Sequence, residues 1–163
     1  MIRNLIIIDK NSRPLVSANF GECHSFEEDD GLISGFLSAL YNLSKLFKAE
    51  SLEGIQFGAL SFTVMSKGNL VFALSADDDD AAKHKTTLVE IVNLFEELYE
   101  FYSMNISSDV DTVVFKEFPK FLVDQDILRP NCGKYSECID CPNSKKTLPI
   151  KELTQRFESY DAN

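Results

Sequence analysis

Leu5-Ile6-Ile7-Ile8 is an unbroken apolar run stopped by Asp9, which predicts a strand buried on both faces. Leu15-Val16-Ser17-Ala18-Asn19-Phe20 follows as a second strand. The turn formers Asp9-Lys10-Asn11-Ser12-Arg13-Pro14 between them predict a hairpin, with Pro14 presetting the backbone for the return. The periodicity then changes. Leu32, Ile33, Phe36, Leu37, Leu40, Tyr41 and Phe47 fall mostly three and four residues apart, which predicts a helix with one broad apolar stripe. Ser25 and Glu28 fit a capping box at its start, and Gly35, Ser38 and Ala39 are small enough to admit a second backbone. Beyond Gly54 the chain reads as extended again: 55–60, 61–66 and 70–76, with Lys67-Gly68-Asn69 as a tight hairpin turn.

After Asp77-Asp78-Asp79-Asp80, the residues Leu88, Ile91, Val92, Phe95, Leu98, Tyr99 and Tyr102 form a clean helical stripe. The four aspartates read as a strand-to-helix turn placed at the positive end of that helix. They lack the spacing and the central glycine of a calcium loop. His84, between Lys83 and Lys85 in the first turn, is expected to be solvated. Asp109 is a candidate cap for a further helix carrying Val110, Val113, Val114, Phe118, Phe121 and Leu122, which Pro119 should kink or interrupt. Strands joined by hairpins must pair antiparallel, and long apolar helical stripes need a sheet to cover. The predicted class is α+β in the order ββαβββαα, with residues 1–125 as the domain and 126–163 as a C-terminal extension.

The first hairpin, Leu5 to Val16, is similar to that of longin domains and related trafficking adaptors. Asp30-Gly31-Leu32-Ile33-Ser34-Gly35-Phe36-Leu37-Ser38-Ala39-Leu40 resembles the first helix of small prokaryotic longin-like and roadblock-like proteins. The roadblock fold normally opens with a helix, and this chain opens with a hairpin, which favours longin. The resemblance implies a five-stranded antiparallel sheet between one helix and a later helical pair. It also implies a non-enzymatic interaction module that forms homo- or heterodimers with longin- or roadblock-like domains, or binds or regulates a Ras-like small GTPase or a vesicle-trafficking-type complex. A cytoplasmic location is expected from the lack of a leader-like start and of a membrane-length apolar run, with any approach to a membrane made through partners. By position, Leu32, Gly35, Phe36 and Ala39 are the candidate interface residues, although Leu32 and Phe36 also suit simple packing on the sheet. SNARE longins continue into a heptad coiled coil, and residues 126–163 show none.

Charge narrows the partners. The chain carries 16 basic and 26 acidic residues, net charge -10, all of it before residue 126. Nucleic acids and anionic bilayers are recognised by clustered cations, so neither is an expected direct partner. The start of the chain predicts no secretory leader, and no apolar run approaches the length of a membrane span. With two histidines, no Gly-rich phosphate loop, no G-x-S-x-G and no H-E-x-x-H, no enzymatic activity is expected.

The extension holds the one constellation with specific chemistry. Cys132-x5-Cys138-x2-Cys141 offers three thiolates to a soft cation. The preferred reading is a structural Zn2+ site completed by Cys23 or by His24, fastening the extension to the domain. An iron–sulfur cluster, and with it a metal-binding redox or regulatory protein, is the alternative, and unligated thiols remain a third reading. Ile150, Leu153 and Phe157 within 149–159 predict a short amphipathic helix that docks on the domain or binds a partner.

Overall fold

The computed structural model describes residues 2–20, 35–39, 41–42, 54–57, 60–77, 80–104 and 111–129. Five strands build one antiparallel sheet: β1 (Ile2–Asp9), β2 (Pro14–Asn19), β3 (Gly54–Phe57), β4 (Leu60–Lys67) and β5 (Leu70–Asp77). Their order across the sheet is β2-β1-β5-β4-β3, so the last strand lies at the centre and the first lies inside the sheet between it and β2. Helical residues 35–39 and 41–42 (α1) precede β3. Helix α2 (Ala81–Met104) follows β5, and a 3-10 turn (Thr112–Phe115) leads into α3 (Phe118–Asp124). The expected fold class and the order ββαβββαα are borne out.

Each face of the sheet has its own apolar cluster, as the two-residue period of a strand dictates. Leu5 and Ile7 of β1 with Leu70, Phe72 and Leu74 of β5 meet Leu88, Ile91, Val92 and Phe95 of α2. Ile6 and Ile8 with Val71, Ala73, Phe62 and Val64 meet Leu37 of α1, and Tyr41 and Ile55 pack against the same cluster. The apolar run of β1 is thus explained by a helix on either side. In β2 the pairing slips by one residue, Ile7 facing Val16 and Ile8 facing Pro14. Leu15 is the extra residue of this bulge, and both Leu15 and Val16 join the α2-side cluster.

The turns follow from their residues. At the first hairpin the buried Asp9 carboxylate accepts the backbone N–H groups of Asn11 (2.8 Å) and Arg13 (3.0 Å), and its other oxygen pairs with Arg13 Nε at 3.1 Å. At the β4–β5 turn Gly68 takes φ +58°, which suits the first central position of a two-residue II′ hairpin. Asp80 caps α2, its Oδ1 accepting Lys83 N at 3.0 Å, as the reading of the aspartate run requires.

Three expectations need correction. The strand β1 extends back to Ile2, because Asn4 is buried with a partner: Ser75 Oγ donates to Asn4 Oδ1 at 2.8 Å. His84 is 4% exposed rather than solvated, since its position in the first turn of α2 points inward between outward lysines. The last helical pattern is two pieces. Asp111 caps the 3-10 turn by accepting Val113 N at 3.0 Å, and Pro119 opens α3 within its first turn, where its missing N–H costs nothing. Asp109 and Val110, the capping pair Ser25 and Glu28, and the stripe residues Ile33, Leu40 and Phe47 lie outside the described residues.

Candidate interaction surface

Helix α1 is held to the sheet by Leu37, which is fully buried in the cluster of Ile6, Ile8, Phe62 and Val64. Beside it the buried Ser38 shares a 2.6 Å hydroxyl–hydroxyl hydrogen bond with Ser12 at the tip of the first hairpin. Ser12 has φ +68°, so the tip is bent toward α1 by a backbone conformation that few side chains adopt. The opposite side of α1 carries Gly35, Ala39 and Asn42, all exposed. Their spacing of four and three residues places them in one row. A Cβ built on Gly35 meets nothing within 4 Å among the described residues, so its small size answers to no neighbour among them. Phe36 is half-buried between the two sides.

Of the four expected interface residues, Gly35 and Ala39 are therefore on the surface, Phe36 is intermediate, and Leu32 lies outside the described residues. The expected metal ligands Cys132, Cys138, Cys141 and Cys23, and the alternative His24, also lie outside them. Among the described residues no group of three or more His, Cys, Asp or Glu is gathered in metal-binding geometry.

The sheet contributes a second open feature. Strand β3 is short and stands at the end of the strand order, with β4 as its one strand neighbour among the described residues. The other edge, β2, is packed by the 3-10 turn and α3. Edge strands carry backbone donors and acceptors on their outer side and are templates for pairing. Ile55 of β3 and Leu37 of α1 belong to the same packed face, so the open edge and α1 adjoin one cluster.

A third feature was not legible as a surface in the stripe pattern. Between α2 and α3 runs an open groove of about 240 Å³ lined by Leu98, Tyr99, Glu117, Lys120, Phe121 and Asp124. Leu98 is 44% exposed there, whereas the stripe placed it in the core. The helix leaves regular geometry at Tyr99 (φ -129°, ψ 28°), and α3 stands against this flank without closing over it. Burial, and then the negative charge of Glu117, hold the Tyr99 phenol above its ordinary pKa. Below the groove, Phe95, Tyr99, Phe115 and Phe118 form a ring cluster that fastens the 3-10 turn and α3 to α2.

The chain is similar to a roadblock structure. The roadblock/LC7 domain from Streptomyces avermitilis shares 12% identity over 61% of this chain and 86% of that chain, with a TM-score of 0.49. MglB of Myxococcus xanthus shares 16% identity over 64% of this chain and 85% of that one, with a TM-score of 0.44. No family model matches the chain, and no curated protein matches it. Among the described residues, no helix is long and apolar enough to cross a membrane.

Proposed function

We propose that the chain is a non-enzymatic interaction module of longin type, which pairs with a second domain of similar fold and binds or regulates a Ras-like small GTPase. The observation that carries the reading is the two-sidedness of α1. Leu37 and Ser38 anchor the helix, while Gly35 and Ala39 present little bulk, next to a sheet whose β3 edge has a single strand neighbour among the described residues. A second backbone can lie close against Gly35 and Ala39, whose side chains are the smallest, and a strand edge offers it hydrogen bonds. The resemblance of the first hairpin and first helix to longin domains supplies the partner class.

Ala39→Arg tests it. The arginine points into solvent in the free chain, so far-UV circular dichroism and melting should be preserved, while it fills the space a partner backbone would occupy. Sedimentation of the full chain, alone and with purified Ras-like GTPases in GDP and GTP states, should show association that falls at least tenfold in the variant. Release of a fluorescent GDP analogue reports whether exchange is altered. An association unchanged by Ala39→Arg removes α1 as the surface. No self-association and no GTPase binding at low salt removes the function.

For the extension we propose structural Zn2+ held by Cys132, Cys138 and Cys141, with Cys23 or His24 as fourth ligand. The support is their spacing, which suits tetrahedral thiolate coordination. An iron–sulfur cluster is the competing occupant, distinguished by its colour.

A further inference from the structure

Two unlike contacts hold α1. Leu37 packs among Ile6, Ile8, Phe62 and Val64, with Tyr41 against the same cluster. Apolar burial is non-directional, so it fixes how deep a helix sits better than how it is rotated about its axis. Ser38 adds a hydroxyl–hydroxyl hydrogen bond of 2.6 Å to Ser12, and a hydrogen bond constrains direction as well as distance. On a helical projection at about 100° per residue, Tyr41 lies about 40° from Leu37 and Ser38 about 100° from it. Gly35 and Ala39 lie about 160° from Leu37, one on each side of the opposite pole. The apolar anchor and the polar anchor thus pull at different angles, and it is their combination that turns Gly35 and Ala39 to solvent.

The hairpin end of the bond is stiff. Ser12 N donates to Asp9 O and Asp9 N to Arg13 O, both at 3.0 Å. The buried Asp9 carboxylate accepts Asn11 N, Arg13 N and Arg13 Nε within the same loop. Asp9 also pairs with Leu70 of β5, which fastens the loop to the sheet. Ser12 nevertheless stands in the left-handed region at φ +68°. Glycine would build that turn with less strain, and what serine supplies in return is the hydroxyl aimed at Ser38. The tip can be reached from solvent, with Lys10 and Asn11 exposed and Ser12 half-buried, whereas Ser38 is buried.

We propose that Ser12 is a positioning residue for α1: from a rigid hairpin tip, its hydroxyl acts through Ser38 to set the rotation of the helix and so aims Gly35 and Ala39 away from the sheet. The inference rests on the reading of α1 as the interaction surface and adds a control on it. Whatever disturbs the solvent-facing tip changes how that surface is presented, without touching it.

Ser12→Gly in the full chain separates the hydroxyl from the turn, because glycine keeps the left-handed backbone and loses only the side chain. The melting temperature should hold or rise. Hydrogen exchange of the α1 amides should nevertheless quicken about two- to tenfold, the factor one neutral hydrogen bond contributes, with β1 and α2 unchanged. Ser38→Ala should give a similar local rise, and joining the two variants should add nothing further, since both remove one contact. Unchanged α1 exchange in Ser12→Gly, or additive effects of the pair, overturns the proposal. Where the wild-type chain self-associates or binds a GTPase, Ser12→Gly should weaken that association by about twofold or more. Faster α1 exchange with association unchanged also overturns it. A wild-type chain that associates with nothing removes the function assigned to α1 and leaves the coupling to Ser12, which exchange alone decides.

Discussion

Truncating Phe95 to alanine is the most direct test of how the helical layer is held. Phe95 is 0% exposed, and four rings surround it: Phe72 at 5.4 Å and Phe118 at 5.0 Å edge-on, Phe115 stacked at 5.5 Å, and Tyr99 tilted at 4.9 Å. Removing the ring takes about 100–150 Å² of apolar surface out of the core, worth about 3 kcal/mol at about 25 cal/mol per Å². The neighbours belong to the sheet, α2, the 3-10 turn and α3, so they cannot all collapse into one void. Cavity and lost ring contacts should raise the loss to about 4–5 kcal/mol, the upper end for such truncations. A domain stable by about 5–15 kcal/mol would then be close to unfolding. Urea titration followed by far-UV circular dichroism should show a lower midpoint at unchanged slope. Hydrogen exchange should open 112–128 before β1 and β5, because the ring cluster is what joins that segment to α2. The control Val113→Ala, at a side chain 53% exposed, should cost under about 0.5 kcal/mol. A loss at Phe95 below about 2 kcal/mol, or equal to that at Val113, would refute the claim of a shared aromatic anchor.

Replacing Asp126 by glycine should raise stability by about 0.5–1 kcal/mol, read as a higher melting temperature, because glycine adopts the left-handed turn at φ 57° without steric cost. The Asp126–Arg129 pair lost with it is exposed and contributes little. Tyr99 should ionise at higher pH than an ordinary tyrosine. Since its folded pKa is raised, stability is kept below the unfolded pKa and falls as pH climbs from there through the folded value. An ultraviolet titration of the chain, which has no tryptophan, against Tyr99→Phe should show the missing phenol among the last to titrate. Cys138→Ser and Cys141→Ser should each abolish stoichiometric zinc in elemental analysis and increase protease cleavage after Arg129. Metal content and cleavage unchanged would exclude a structural site.

Regular periodicity made the layers readable, and departures from it hid the rest. Leu5 to Ile8 and the stripe from Leu88 to Phe95 declare buried faces because each apolar residue repeats at the period of its element. Asn4 and His84 look like surface residues by type, yet tertiary neighbours bury them, and single-residue polarity contains nothing about those neighbours. The Leu15 bulge breaks strict alternation, so its consecutive inward residues are indistinguishable in sequence from an ordinary strand. On α1 small size did not by itself mark a surface: Gly35 and Ala39 are exposed, while the equally small Ser38 is buried against the first hairpin. Leu98 shows the opposite case: an apolar residue in register with a core stripe became the floor of a groove, because the bend at Tyr99 and the placement of α3 are non-local. The metal ligands proposed from spacing fall on residues the structure does not describe.

The place of β1 between β2 and β5 has a consequence for biosynthesis. Its two neighbours are β2, which leaves the ribosome at once, and β5, whose partner residues Leu70 to Ala76 are synthesised some seventy residues later. Until then the side of β1 destined for β5 has no strand to meet, and of the neighbours that cover its apolar side chains only those of β2 and α1 have been made. At about 5–20 residues per second that interval lasts several seconds. A nascent chain halted before residue 70 would therefore display a greasy hairpin suited to chaperone capture, and translation past β5 is the event that lets the sheet close.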